Sequence, residues 1–145
     1  STLSDILFSA WMFTMTIKQL LYVSEMTSNV SSSCVADIVR VARARNLNLG
    51  VTGVLIFDGW RFFQYLESEE GHIEELMSSI SQDPRHQKLT ILYQTTLLGL
   101  RRFPRWNMGY ALIEQEEALN DISRKQGEDA LDSLLALIPN FDLDP

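Results

Sequence analysis

The stretch VTGVLIFDGWRFFQYLE, residues 51–67, decides the fold. Two β-rich runs, 51–57 and 60–67, flank Asp58-Gly59. Asp-Gly between such runs is a hairpin signal, because a type I′ turn needs positive φ at both central residues.

Upstream, KQLLYVS (residues 18–24) reads as a strand, and residues 25–33 form a loop rich in Ser, Thr and Asn. One of Ser31 to Ser33 is the expected N-cap of a helix whose apolar stripe is Val35, Ile38, Val39 and Ala42. That helix should end around residues 46–50, where Asn and Gly tolerate positive φ. Downstream, Ile73, Leu76, Met77 and Ile80 share one face of a second helix, stopped by Asp83-Pro84. Residues 89–97 read as a fourth strand and WNMGYALI (106–113) as a fifth. The order β-α-β-β-α-β-β predicts an α+β, ferredoxin-like sheet with two helices on one face. Beyond it, Leu131, Leu134, Leu135 and Ile138 form the stripe of a C-terminal helix that Pro139 ends.

A chain of 145 residues is one domain's worth of sequence, with room for a hydrophobic core. Its net charge of −7 is uneven. Residues 1–113 carry 10 basic and 10 acidic side chains, whereas residues 114–145 carry 2 basic and 9 acidic ones. The pI near 4.7 argues against a nucleic-acid partner, since phosphate rewards clustered Lys and Arg. The lone Cys34 cannot close an internal disulfide, and with His72 and His86 it makes no zinc spacing. A reducing, cytoplasmic location is expected.

Residues 1–17 are apolar but contain no basic n-region for a secretory signal, and they are too short and polar to span a bilayer. No membrane role is expected. Met15-Thr16-Ile17-Lys18 has the form of a translation start, so residues 1–14 read as a vector-derived or alternative-start extension, and residues 1–16 are set apart from the domain as an N-terminal extension. His72 reads as a solvated helix residue and Cys34 as helix-start packing. Arg101, Arg102 and Arg105 read as a solvated loop or an anion contact. Common nucleophile, dinucleotide, phosphate-loop and zinc-protease motifs are absent.

What stands out is polar and aromatic chemistry inside apolar strands. Tyr22 lies in the first strand, Gln64 in the middle of FFQYL, and Asn46 at the end of the first helix. Trp106 and Met108, two apart in the expected fifth strand, should share a face. A buried Gln must satisfy both ends of its amide, and a buried Tyr its hydroxyl. On the residues alone this is either a Tyr–Gln pair satisfied in a plain core or a network facing a ligand.

The run 51–67 resembles the core signature of the BLUF domain, a flavin-based blue-light sensor, with its T-G-x-L and F-x-Q-x-L-E pattern. Further matches are LLYVS (20–24), QDPRH (82–86) and RRFPRWNM (101–108), in family order and spacing. The resemblance covers roughly residues 17–113 and agrees with a ferredoxin-like fold. It departs at Leu66-Glu67-Ser68, where the family has glycine after the glutamate, which puts the local turn in doubt.

The resemblance implies non-covalent FAD, with FMN or riboflavin as substitutes, held between the two sheet-covering helices. Tyr22 matches the photoactive tyrosine and Gln64 the glutamine that bridges it to the flavin. Asn46 matches the asparagine at the C4 carbonyl and N3 edge, with Arg45 beside it and Ser24 in support. Asp83, Arg85 and His86 match a motif near the ribityl and phosphate side. Trp106 and Met108 match residues that exchange places near the glutamine in some members. Light would drive electron and proton transfer from Tyr22, and the Gln64 amide would rotate or tautomerise, reversing the donor and acceptor it offers. Such a protein is a sensor and not an enzyme. Residues 114–145 would be the output or assembly segment, acting in a homo-oligomer or on a downstream regulatory protein. A light-insensitive ferredoxin-like interaction module and a small flavin-dependent redox protein are the alternatives.

Overall fold

A computed structural model describes residues 2–4, 16–69, 71–114 and 116–138. The stretch 5–15, most of the expected extension, and Pro139 lie outside the described residues. The elements run β1 (Thr16–Met26), a short 3-10 turn (Ser32–Cys34), α1 (Val35–Leu49), β2 (Thr52–Phe57) and β3 (Arg61–Glu69). They continue with α2 (His72–Ser81), β4 (His86–Leu98), β5 (Gly109–Leu112), α3 (Glu116–Ser123) and α4 (Glu128–Leu137).

The five strands lie in the order β4-β1-β3-β2-β5. β1 pairs antiparallel with both β3 and β4, β2 pairs antiparallel with β3, and β5 runs parallel to β2. This is the expected α+β, ferredoxin-like arrangement, with a fifth strand at the β2 edge.

Strand alternation divides the core in two. On one face, α1 sets Val35, Val39 and Ala42 on Leu55, Phe57, Phe62 and Met108. On the same face, α2 sets Ile73, Leu76 and Ile80 on Leu20, Tyr22 and Leu66. The opposite face (Leu21, Val54, Ile56, Phe63 and Tyr65) is covered by Leu119 and Ile122 of α3 and Ala130, Leu131 and Leu134 of α4. The acidic segment thus splits into two short amphipathic helices. A bulge in β4 shifts the register beside Tyr22, and the Leu92 carbonyl there accepts the Gly127 N–H at the start of α4, 2.7 Å away.

Three local expectations are corrected. α1 has no serine side-chain cap: Cys34 is its N-cap, and Ser31 instead closes a turn by accepting the Ser33 N–H. The β2–β3 turn is not type I′. Of its central residues Gly59 and Trp60, only Gly59 has positive φ, 104°, and Asp58 Oδ1 accepts the N–H groups of Trp60 and Arg61 in the manner of an Asx turn. The fifth strand begins at Gly109 and not at Trp106, so residues 101–108 form an irregular segment.

Candidate functional site

The β1–β3 register places Tyr22 directly opposite Gln64. Both point to the face covered by α1 and α2, and both are buried, 4% and 3% exposed. The Tyr22 hydroxyl donates to Gln64 Oε1. The other end of the amide, Nε2, donates to Met108 Sδ at 3.2 Å. A thioether is a weak acceptor, so one end of the amide is held firmly and the other loosely.

This trio floors a cleft of about 440 Å3, open space at its mouth included, between α1 and α2. Ile38, Ala42 and Arg45 supply the α1 wall; Ile80, Asp83, Arg85 and His86 supply the wall at the end of α2. Ala42, with its small side chain in an otherwise bulky stripe, leaves the space.

Burial pushes the Tyr22 hydroxyl pKa up, opposed by the Arg45 guanidinium. The phenol therefore stays protonated at neutral pH. The same burial pulls Arg45 down, and Tyr22 and Asp83 partly restore it. On the rim, Arg85 grips Asp83 with Nη2 2.7 Å from Oδ2, which holds the Asp83 carboxyl below its ordinary value. Arg85 also reaches Asp37 at 3.6 Å, so its charge is largely compensated. His86 is fixed at both nitrogens, Nδ1 against the Ser24 hydroxyl at 2.8 Å and Nε2 against the Ile80 carbonyl at 2.5 Å.

Asn46 is fully buried and its Nδ2 donates to the Asn107 carbonyl at 2.8 Å. Its Oδ1 receives no hydrogen bond from the described residues, and Arg45 Nε is likewise buried without a partner. Buried polar atoms are normally satisfied, and a ligand with matching groups would complete both, as it would not for the other unpartnered atoms of Gln19 and Arg61, which lie outside the cleft lining. An acceptor-only oxygen on Asn46 suits an imide N–H, and a guanidinium donor suits a carbonyl or an anion. Both occur on the edge of an isoalloxazine, so these residues fit the flavin that the sequence resemblance implies.

Seven of the expected residues therefore line one cleft: Tyr22, Arg45, Gln64, Asp83, Arg85, His86 and Met108. Ser24 acts from behind His86; Asn46 is not among the lining residues, and its oxygen is orphaned. Trp106 is elsewhere. Its ring stacks on Phe103 at 5.6 Å and packs against the core cluster of the opposite face. The expectation that Trp106 and Met108 share a face assumed a strand, and residues 101–108 are not one. Sequence reasoning also passed over Glu67, a carboxylate with no exposed surface behind the site. The signal was available: a charged residue in a mostly apolar strand must be paired if it is buried.

The family model described as "BLUF: Sensors of blue-light using FAD" matches residues 17–109. The photoactivated adenylate cyclase subunit alpha of Euglena gracilis is 32% identical over 94 residues, which is 63% of this chain and 9% of that protein. The blue light- and temperature-regulated antirepressor BluF of Escherichia coli (strain K12) is 36% identical over 73 residues, 50% of this chain and 18% of that protein. The dark-state structure of BlrB, a BLUF protein, superimposes with a TM-score of 0.65 at 33% identity, covering 77% of this chain and 85% of that one. The chain spans about a tenth of the length of the first curated relatives it matches. Among the described residues, no helix is long and apolar enough to cross a membrane.

Proposed function

Because the chain belongs to the BLUF family, the sensors of blue light using FAD, we propose that it is a photosensory module that holds FAD non-covalently in the cleft between α1 and α2. The observation that carries this is the buried Tyr22–Gln64–Met108 chain of contacts in that cleft. Bound flavin supplies the absorption of blue light and an excited state able to take an electron.

Tyr22 is the donor: its phenol is kept neutral by burial and its proton is directed at Gln64 Oε1. Gln64 is the switch. Turning its amide, or moving its proton to make the imidic form, exchanges the donor and acceptor it presents to Tyr22 and to the cleft. Among the described residues, only the weak contact to Met108 Sδ opposes that exchange on the far side. Asn46 and Arg45 hold the flavin edge through their unpartnered atoms. His86 and Ser24 stiffen the wall, and Arg85 and Asp83 frame the side where the ribityl and phosphate groups leave.

The signal passes from Gln64 to Met108 and the segment 101–108, then through β5 to α3 and α4. These helices form the surface toward a second copy of the chain or a downstream regulatory protein. The photosensory unit is residues 17–113 and the output unit is residues 114–145.

The test is to load the protein with FAD, illuminate it with blue light and follow its absorption through a dark period. A red shift that reverses in the dark, present in the wild type and absent in Tyr22→Phe and Gln64→Leu, supports the reading. Failure to retain flavin, or a flavin spectrum unmoved by light, overturns it.

A further inference from the structure

Glu67 sits on β3, on the face of the sheet opposite Gln64, and is fully buried. Both carboxylate oxygens are engaged. Oε1 accepts the Tyr65 hydroxyl at 2.9 Å and the Arg102 backbone N–H at 2.8 Å. Oε2 accepts the Thr52 hydroxyl at 3.1 Å and the Phe103 backbone N–H at 2.7 Å. Arg101 completes the knot, its Nη1 donating to Thr52 Oγ1 at 3.1 Å and to the Glu67 carbonyl at 3.4 Å.

Residues 101–108 contain no helix or strand, so their path is set by point contacts. Glu67 fixes the first part. Trp106 follows, stacked on Phe103, with its carbonyl accepting the Gly53 N–H at 2.9 Å. The Asn107 carbonyl then meets Asn46, and the Met108 sulfur meets Gln64. An unbroken series of contacts thus runs from the Glu67 carboxylate to the residue that touches the glutamine.

We infer that Glu67 is a positioning residue that anchors the segment 101–108 and so sets the Met108 contact to Gln64. The inference rests on the switching role proposed for Gln64 above. Its chemistry is specific. A carboxylate is acceptor-only on both oxygens, whereas the amide of Glu67→Gln presents an NH2 to one of the two backbone N–H groups. The Tyr65 and Thr52 hydroxyls can rotate to accept; a backbone N–H cannot. The volume is kept and one anchor point is lost.

The experiment uses the full chain with Trp11→Phe and Trp60→Phe, which leaves Trp106 as the sole tryptophan. Acrylamide quenching of Trp106 is measured without flavin, and dark recovery of the light-induced absorption is measured with FAD. In Glu67→Gln the anchored-to-released ratio of the segment falls on the order of tenfold. Trp106 quenching rises and dark recovery changes by a similar factor. Tyr65→Phe, which removes a core hydroxyl but keeps both backbone contacts, stays within about twofold of the parent. Arg101→Gln, at the partly exposed start of the segment, moves both readouts in the same direction by less, and serves if Glu67→Gln does not fold. Trp106 quenching unchanged in both variants overturns the anchor. Quenching raised with recovery unchanged overturns the link to Gln64. Quenching raised while the parent itself shows no light response supports the anchor and refutes the photosensory reading instead.

Discussion

Replacing Tyr22 by phenylalanine deletes the hydroxyl that donates to Gln64 Oε1 and leaves that oxygen buried. An unsatisfied buried acceptor costs about 1–3 kcal/mol. For a chain of this size that lowers the melting temperature by roughly 2–4 °C per kcal/mol. Gln64→Leu leaves the Tyr22 hydroxyl without an acceptor and incurs a cost of the same order, since the Met108 contact it also removes is weak. The double variant has neither orphan: an apolar pair meets across strands at nearly the original volume. It should therefore be less destabilised than the sum of the singles by about 1–2 kcal/mol. Urea unfolding of the four proteins without flavin, at constant m-value, measures this coupling. Additive single effects would show that the two side chains do not satisfy each other and would refute the register argument for the site.

Three further outcomes follow from the same structure. Ala42→Leu fills the cleft beside Ile38 and Arg45, so flavin retention after desalting should drop at least tenfold while the far-ultraviolet circular dichroism stays unchanged. Burial raises the hydroxyl pKa values of Tyr22 and Tyr65 on folding, Tyr65 further so beside Glu67; the stability they carry is full below the unfolded-state value of about 10 and is lost as pH rises above it. Tyr22→Phe should flatten that alkaline decline in a pH series of urea midpoints. At Gly53, φ is 155° and an added Cβ would stand 1.9 Å from the Tyr65 carbonyl oxygen, so Gly53→Ala should cost at least about 2 kcal/mol by urea unfolding.

The sheet and its two covering helices were legible because periodicity reports burial. The stripe Val35, Val39 and Ala42 and the stripe Ile73, Leu76 and Ile80 are buried where a 3.6-residue period places them. Tyr22 and Gln64 stood out as polar groups in apolar strands, but only the register shows that they are opposite each other. Pairing between strands 42 residues apart is set by the whole sheet and not by local sequence. The segment 101–108 defeated the reading because Trp106, Asn107 and Met108 look like strand and are held instead by contacts to Gly53, Asn46 and Gln64. For Glu67 the charge was visible in the sequence but the partners were not: two of the four are backbone N–H groups, which carry no sequence signature.

The central claim is that light changes what the Gln64 amide offers its neighbours. Infrared difference spectroscopy, light minus dark, on FAD-loaded protein carrying carbon-13 glutamine tests it directly. Among the described residues, Gln64 is the only glutamine that lines the cleft. The account predicts a glutamine carbonyl band that shifts with the isotope, recovers in the dark and vanishes in Gln64→Leu. A difference spectrum indifferent to glutamine labelling would contradict it.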